Sequence, residues 1–218
     1  SPFCYYLPDQ VLRLFGTNRL EPGMATVAVG NNTFDDFRFI RLWWEIEPEL
    51  AGTSWPRYEV GGAYSPFLSL TQALYNWSDE GREARAFQLH LSGTDSQVRQ
   101  SQKWWGKPGI TYPRVSSVGF GPRLMGSGNI FSGDSISIFP NQLKDRMAML
   151  AILGSSWGEY LTQTYGRSRK TEARSVKQFP DLWSELSEKD RSELEGLANR
   201  LVSLFLQLEA WRPGSPLR

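Results

Sequence analysis

The chain has 218 residues, 40% apolar and 13% aromatic, enough for one core of ordinary size or a domain plus an appendage, and too apolar for wholesale disorder. Cys4 and His90 are the only residues of their kinds, which excludes an internal disulfide and a Cys/His zinc site and leaves any Ser-His-Asp triad dependent on His90. The net charge of +1 conceals a basic block: residues 1–95 carry −5, residues 96–178 carry +8 and residues 179–218 carry −2.

No apolar run approaches the roughly 18–20 residues that span a bilayer, so no membrane association is expected. The sparse cysteine favours a cytoplasmic setting. The chain opens Ser1-Pro2 without a signal-peptide pattern and reads as a piece of something longer. A basic block suggests an anionic partner such as nucleic acid. The alternative is a solvated face balanced by its acidic neighbours.

In chain order, Asp9 to Phe15 has the spacing of a short amphipathic helix, between Pro8 and Gly16. A small strand is expected at Ala25 to Val29, and a longer aromatic one at Phe37 to Ile46. Leu74 to Trp77 is a short apolar segment. Glu83 to Leu91 fits a helix or a strand, and His90 within it reads as structural. Residues 106–140 hold so many Gly and Pro that only short strands fit, at Ile110 to Tyr112, Asn129 to Phe131 and Ser135 to Phe139. Gln142 to Tyr165 follows 3- and 4-residue steps, an amphipathic helix that Gly154 and Gly158 either weaken or open to close packing. Thr164 to Lys177 is a polar, basic connection. A last helix starts near Ser187, where Ser187 and Asp190 resemble a capping box. Its apolar stripe runs Leu194, Leu197, Leu201, Leu204, Phe205 and Leu208, and ends at Trp211. The expected fold is α+β: a domain of short strands and loops over residues 1–180, then a C-terminal helical extension over 181–218.

Nucleotide-binding signatures are missing. There is no G-x-x-x-x-G-K-[ST], no G-x-G-x-x-G, and no Asp/Asn-Pro-Pro-Tyr/Phe with which amino-methyltransferases hold a flipped base. The Gly pairs around Pro122-Arg123 are a phosphate cradle or plain turns. From Gln100 to Arg123 the cations Lys103, Lys107, Arg114 and Arg123 interleave with Trp104, Trp105, Tyr112 and Phe120, and no acid lies between Asp95 and Asp134. Thr111, Ser116 and Ser117 add neutral hydrogen-bonding groups. Cations for phosphates and arginine for guanine edges are what duplex reading requires; the other reading is core aromatics with solvated cations. Arg167, Arg169, Lys170, Arg174 and Lys177 form a second basic run, a phosphate clamp or an exposed linker. Asp35 and Asp36 could serve acid/base or metal chemistry, but adjacent acids on a strand point to opposite sides, which favours a structural role.

Several segments taken together resemble the region that follows the catalytic domain in adenine-specific DNA methyltransferases of the BREX/Pgl and DISARM types and in type IIG restriction-modification enzymes. They are Pro2-Phe3-Cys4-Tyr5-Tyr6, Gly23-Met24-Ala25-Thr26, Phe39-Ile40-Arg41-Leu42-Trp43-Trp44-Glu45, Trp55 to Gly62, Tyr75-Asn76-Trp77 to Gly81, and Gly109 to Arg114. Phe120 to Arg123, Gly128 to Ser132, Leu150 to Ser156 and Val176 to Pro180 continue the series. Val60 stands where that family usually has Lys, and the Gly-Asp-Asn that often follows Gly-x-x-Thr is absent. The resemblance implies a target-recognition domain that selects the double-stranded DNA sequence methylated at adenine N6 by a separate catalytic domain. That domain would bind S-adenosylmethionine, and this chain alone would take no cofactor and have no activity. The expected base readers are Arg114, Ser116, Ser117 and Arg123. A rival expectation is a module that docks partner subunits of a defence complex through its acidic segment and last helix. A third is a carbohydrate-binding or hydrolytic domain, from the nine tryptophans and the Asp pair.

Overall fold

Strand-forming residues caught between Gly and Pro breakers can extend for only a few positions, so the sheets are built from many short strands. The computed structural model describes residues 9–14, 16, 18–165 and 169–211. In chain order these form α1 (Asp9–Leu14), the single turn α2 (Leu20–Gly23), β1 (Ala25–Ala28), the single turn α3 (Asp36–Phe39), β2 (Ile40–Leu42), β3 (Tyr58–Glu59), β4 (Ala73–Tyr75) and α4 (Ser78–Ser92). After them come β5 (Gly109–Pro113), β6 (Arg123–Met125), β7 (Ile130–Phe131), β8 (Ser135–Pro140), α5 (Arg146–Leu153), α6 (Ser156–Tyr165), α7 (Ala173–Lys177) and α8 (Glu188–Trp211). The architecture is α+β, with the longest helix, α8, at the C-terminal end. No helix among the described residues is long and apolar enough to cross a membrane.

The main sheet is antiparallel, in the order β1-β8-β5-β6, with Val27 and Ile110 both opposite Ile138. Its central strands are covered on both faces. Ile110, Tyr112, Ile136 and Ile138 meet Met149, Leu150, Leu153, Leu161, Val176 and Phe179 from the helices. On the other face Met125, Phe131 and Phe139 pack with Trp104 and Trp105. A second core gathers Phe39, Tyr58, Tyr75, Ala84, Val98 and Ile130, around the β2–β4 antiparallel pair and the β3–β7 parallel pair.

Two expectations change, and one open reading is decided. Phe37 to Ile46 is not one strand. Asp35 accepts the amide of Arg38 and caps α3, while the Glu45 carboxylate accepts the amide of Leu42 and closes a 3-10 turn over Trp43–Glu45. Asp36 takes the Thr33 hydroxyl, so both acids serve the turn. Glu83 to Leu91 is helical, and His90 is exposed on α4. The helix expected over Gln142 to Tyr165 is broken between α5 and α6. Gly154 lies against the Phe67 ring, and a Cβ on Gly158 would stand 1.9 Å from the Leu153 carbonyl oxygen. The two helices meet more closely than any side chain there permits.

The capping box at Ser187 forms: Asp190 donates its amide to Ser187 Oγ, and Asp190 Oδ2 accepts the Ser187 amide. The helix that follows lies along α5, with Ala198 buried and Val202 against the main core. Only part of its stripe is covered, and Leu197, Leu204, Leu208 and Trp211 are exposed.

Candidate nucleic-acid interface

At the C-terminal end of β5 the chain leaves the sheet with Arg114 and meets the segment that follows α6. Val115 and Lys170 form an antiparallel bridge, Ser116 donates its amide to the Arg169 carbonyl, and Thr171 donates to the carbonyl of Arg114. Two basic segments more than fifty residues apart in sequence are thus joined by a single β-bridge. Arg169, Lys170 and Ser117 are exposed, and Arg114 and Ser116 are half-buried. Arg114 donates Nη2 to Glu172 at 3.0 Å, and this bond pushes its pKa up further. The Ser116 hydroxyl accepts the amides of Val118 and Gly119, which fixes the loop.

Lys103 and Lys107 are exposed at the other end of β5. Their ammonium groups lie 5.7 and 4.7 Å from the centre of the Trp104 ring, which stacks on Phe139 at 4.6 Å. An extended strand rises about 3.3 Å per residue, so Lys107 and Arg114 stand roughly 20 Å apart. Arg174 is exposed on α7, and Lys177 beside it pairs with Glu21 at 3.1 Å. Arg167 lies outside the described residues.

Thr111, Tyr112 and Arg123 are not at the surface. Both faces of β5 are covered, so Thr111 hydrogen-bonds the Ser135 hydroxyl at 2.7 Å and Tyr112 packs on Phe120, its phenol pushed well up by burial. Arg123, expected to reach a base edge, is 2% exposed. Its guanidinium donates to the carbonyls of Ala63 at 3.0 Å, Val60 at 3.3 Å and Gly61. The Glu59 carboxylate lies close by and accepts Thr71 Oγ1 at 2.6 Å and Asn129 Nδ2 at 2.7 Å. Burial raises the Glu59 pKa, and those two hydrogen bonds and Arg123 pull it back. This buried network holds the loop of Gly61 and Gly62.

That loop floors a cleft of about 450 Å³. Asn32, Thr33, Asp36, Arg114, Val115 and Ser132 to Asp134 also line it. Four chain segments meet here through backbone bonds. Arg114 donates to the Asp134 carbonyl at 2.8 Å, Gly133 to Asn31 at 2.8 Å, and Ser132 to Glu59 at 2.9 Å. Gly61 sits so close to the Asp134 carbonyl that a Cβ would be 2.5 Å from it. Sequence reasoning singled out Arg114 and Asp36 separately but did not join these residues into a site.

No family model matches the chain. It is 25% identical over 173 residues to the adenine-specific methyltransferase PglX of Lacticaseibacillus casei (strain Zhang), which covers 72% of this chain and 14% of that protein. Its fold matches the type IIL restriction-modification enzyme MmeI, whose structure was determined in complex with DNA, at a TM-score of 0.61 and 16% identity. It also matches the type IIG restriction endonuclease BpuSI, at 0.53 and 12%. Each match covers 87% of this chain and 28% of the larger one. The resemblance read from the motifs therefore holds: this chain is similar in sequence to a segment of an adenine-specific methyltransferase, and shares its fold with segments of type IIL and type IIG restriction-modification enzymes.

Proposed function

We propose that this chain is the target-recognition part of an N6-adenine DNA methyltransferase and binds double-stranded DNA. The observation that carries the reading is the Val115–Lys170 bridge, which gathers Arg114, Arg169 and Lys170 just beyond the C-terminal end of β5. Phosphate contacts supply most of the affinity of such a protein, and positioned cations supply those contacts. The likeness of fold to an enzyme studied in complex with DNA supports it. The parent would act in phage defence of the BREX or DISARM kind or in restriction-modification, in the prokaryotic cytoplasm. Its catalytic domain would bind S-adenosylmethionine and carry the chemistry.

Fluorescence anisotropy of labelled random duplex DNA at two salt concentrations tests the reading. Binding that weakens steeply with salt is expected, with a log–log slope of about −0.9 per phosphate contacted. Absence of binding at low salt, by the chain alone and fused to its catalytic domain, defeats it. A protein-docking module is then the better reading. That reading has its own observation: Phe37 is 95% exposed, and Trp43 and Trp44 are exposed beside it on the acidic segment. Exposed aromatics of this kind commonly anchor protein interfaces.

A further inference from the structure

The cleft between the Asn32–Asp36 turn and Arg114–Val115 has a composition that phosphate binding does not explain. Two of its lining side chains, Asp36 and Asp134, are acids that a polyanion repels, and both are exposed. Its apolar members are Val60 and Val115, both exposed. The polar groups retain capacity. Asn32 spends Oδ1 on the Phe34 amide, which leaves its Nδ2. Asp36 spends Oδ1 on Thr33, which leaves Oδ2. The Asp134 carboxylate lies near enough to Arg114 to favour its charged form, and Arg114 carries an enclosed Nε without a partner. The four segments that line the cleft are bonded to one another, so it is preformed.

Apolar flanks with hydrogen-bonding groups between them are how a protein holds a nucleobase swung out of the stack. A cleft of this size lies within the range of small-ligand sites. Carboxylates accept only from donors, and the exocyclic amino groups of adenine, cytosine and guanine each offer two N–H donors, whereas thymine offers only its single ring N3–H. We infer that this cleft takes one unstacked, amino-bearing base of the bound DNA against Val60 and Val115, read by Asp36, Asp134 and Asn32. The inference rests on the DNA-binding reading and adds to it a site and a base class. The cations around the Val115–Lys170 bridge grip the backbone next to it, because Arg114 belongs to both.

The test uses labelled duplexes that differ at one central unpaired nucleotide: A, C, G or T. Anisotropy should give at least one of the A, C and G duplexes an affinity about tenfold or more above the T duplex. In Asp36→Asn and in Asp134→Asn that ratio should fall several-fold, toward one. Arg169→Ala should weaken all four duplexes and leave the ratio intact. Because the readout is a ratio within one protein preparation, partial loss of folding does not mimic it. A wild-type ratio near one, with salt-sensitive binding present, overturns the inference and leaves the DNA-binding reading standing. A preference that survives in both Asn variants also overturns it. Failure of the wild type to bind any duplex defeats the DNA-binding reading itself, and the inference falls with it.

Discussion

Arg123 shows how far a single residue can depart from its type. Arginine is almost never fully buried unless paired, and here the partners are three carbonyls of the Val60–Ala63 segment, with Glu59 as a neighbouring charge. Burial pushes the Arg123 pKa down, and Glu59 opposes that shift. Arg123→Met keeps the volume and removes every donor. It leaves the three carbonyls without their donor and Glu59 without a neighbouring cation, a change that costs about 1–3 kcal/mol or more. Urea denaturation should show that loss, and Glu59→Gln in the same chain should recover part of it, since the two changes are coupled. A loss under about 1 kcal/mol would mean that the guanidinium does not hold the loop. Asn129 and Thr71 belong to the same network, which links β3, the loop after β6 and the residues before β4.

At the level of elements, the junction of α5 and α6 carries the clearest prediction. Gly to Ala within a helix ordinarily stabilises by up to about 1 kcal/mol. At Gly158 the added methyl would meet backbone, the Leu153 carbonyl, and backbone cannot rotate away as a side chain can. Gly158→Ala should therefore destabilise by about 1–3 kcal/mol, the range of overpacking, as read from denaturant midpoints. A stabilised variant would show that the two helices are not in contact there. The same junction explains why one 3.6-residue period over Gln142 to Tyr165 yields two helices. The apolar spacing persists across Gly154-Ser155, but Ser155 turns its hydroxyl to the Ile152 carbonyl and accepts the Trp157 amide, starting a second axis. Phe37 to Ile46 misled for a related reason. Its aromatics suit a strand, whereas Asp35 and Glu45 bond locally to backbone amides and impose turns on either side of β2.

Across the whole molecule, cations stand at both ends of β5. Lys103 and Lys107 flank Trp104 at its start, and Arg114, Arg169 and Lys170 gather at its end. The roughly 20 Å between them is well within one turn of duplex, about 34 Å, so one DNA molecule can meet both. Lys103→Ala with Lys107→Ala, and Arg169→Ala with Lys170→Ala, should each lower the salt slope by about 1–2. Sites this far apart act independently, so the fourfold variant should lose the sum. Anisotropy titrations across a salt series measure it. If one pair leaves the slope unchanged, the duplex lies only on the other end.

Much of the fold could be read from local signals, because their causes lie within a few residues. Breakers bounded β1, β5, β7 and β8 within a residue or two, and the Ser187–Asp190 cap formed where expected. The site was legible only in part. Composition placed the basic block but could not say which cations face outward. Thr111 and Tyr112 are buried because α5–α7 cover one face of the sheet and Trp104, Phe131 and Phe139 the other, and Arg123 because the Val60–Ala63 segment closes on its guanidinium, both consequences of packing between distant segments. The joining of Val115 to Lys170, and the meeting of Asn32, Gly61, Arg114 and Asp134 at one cleft, depend on pairings across tens of residues. Propensity and period act over one or two turns of chain, whereas such pairings are selected by burial of the whole apolar surface at once.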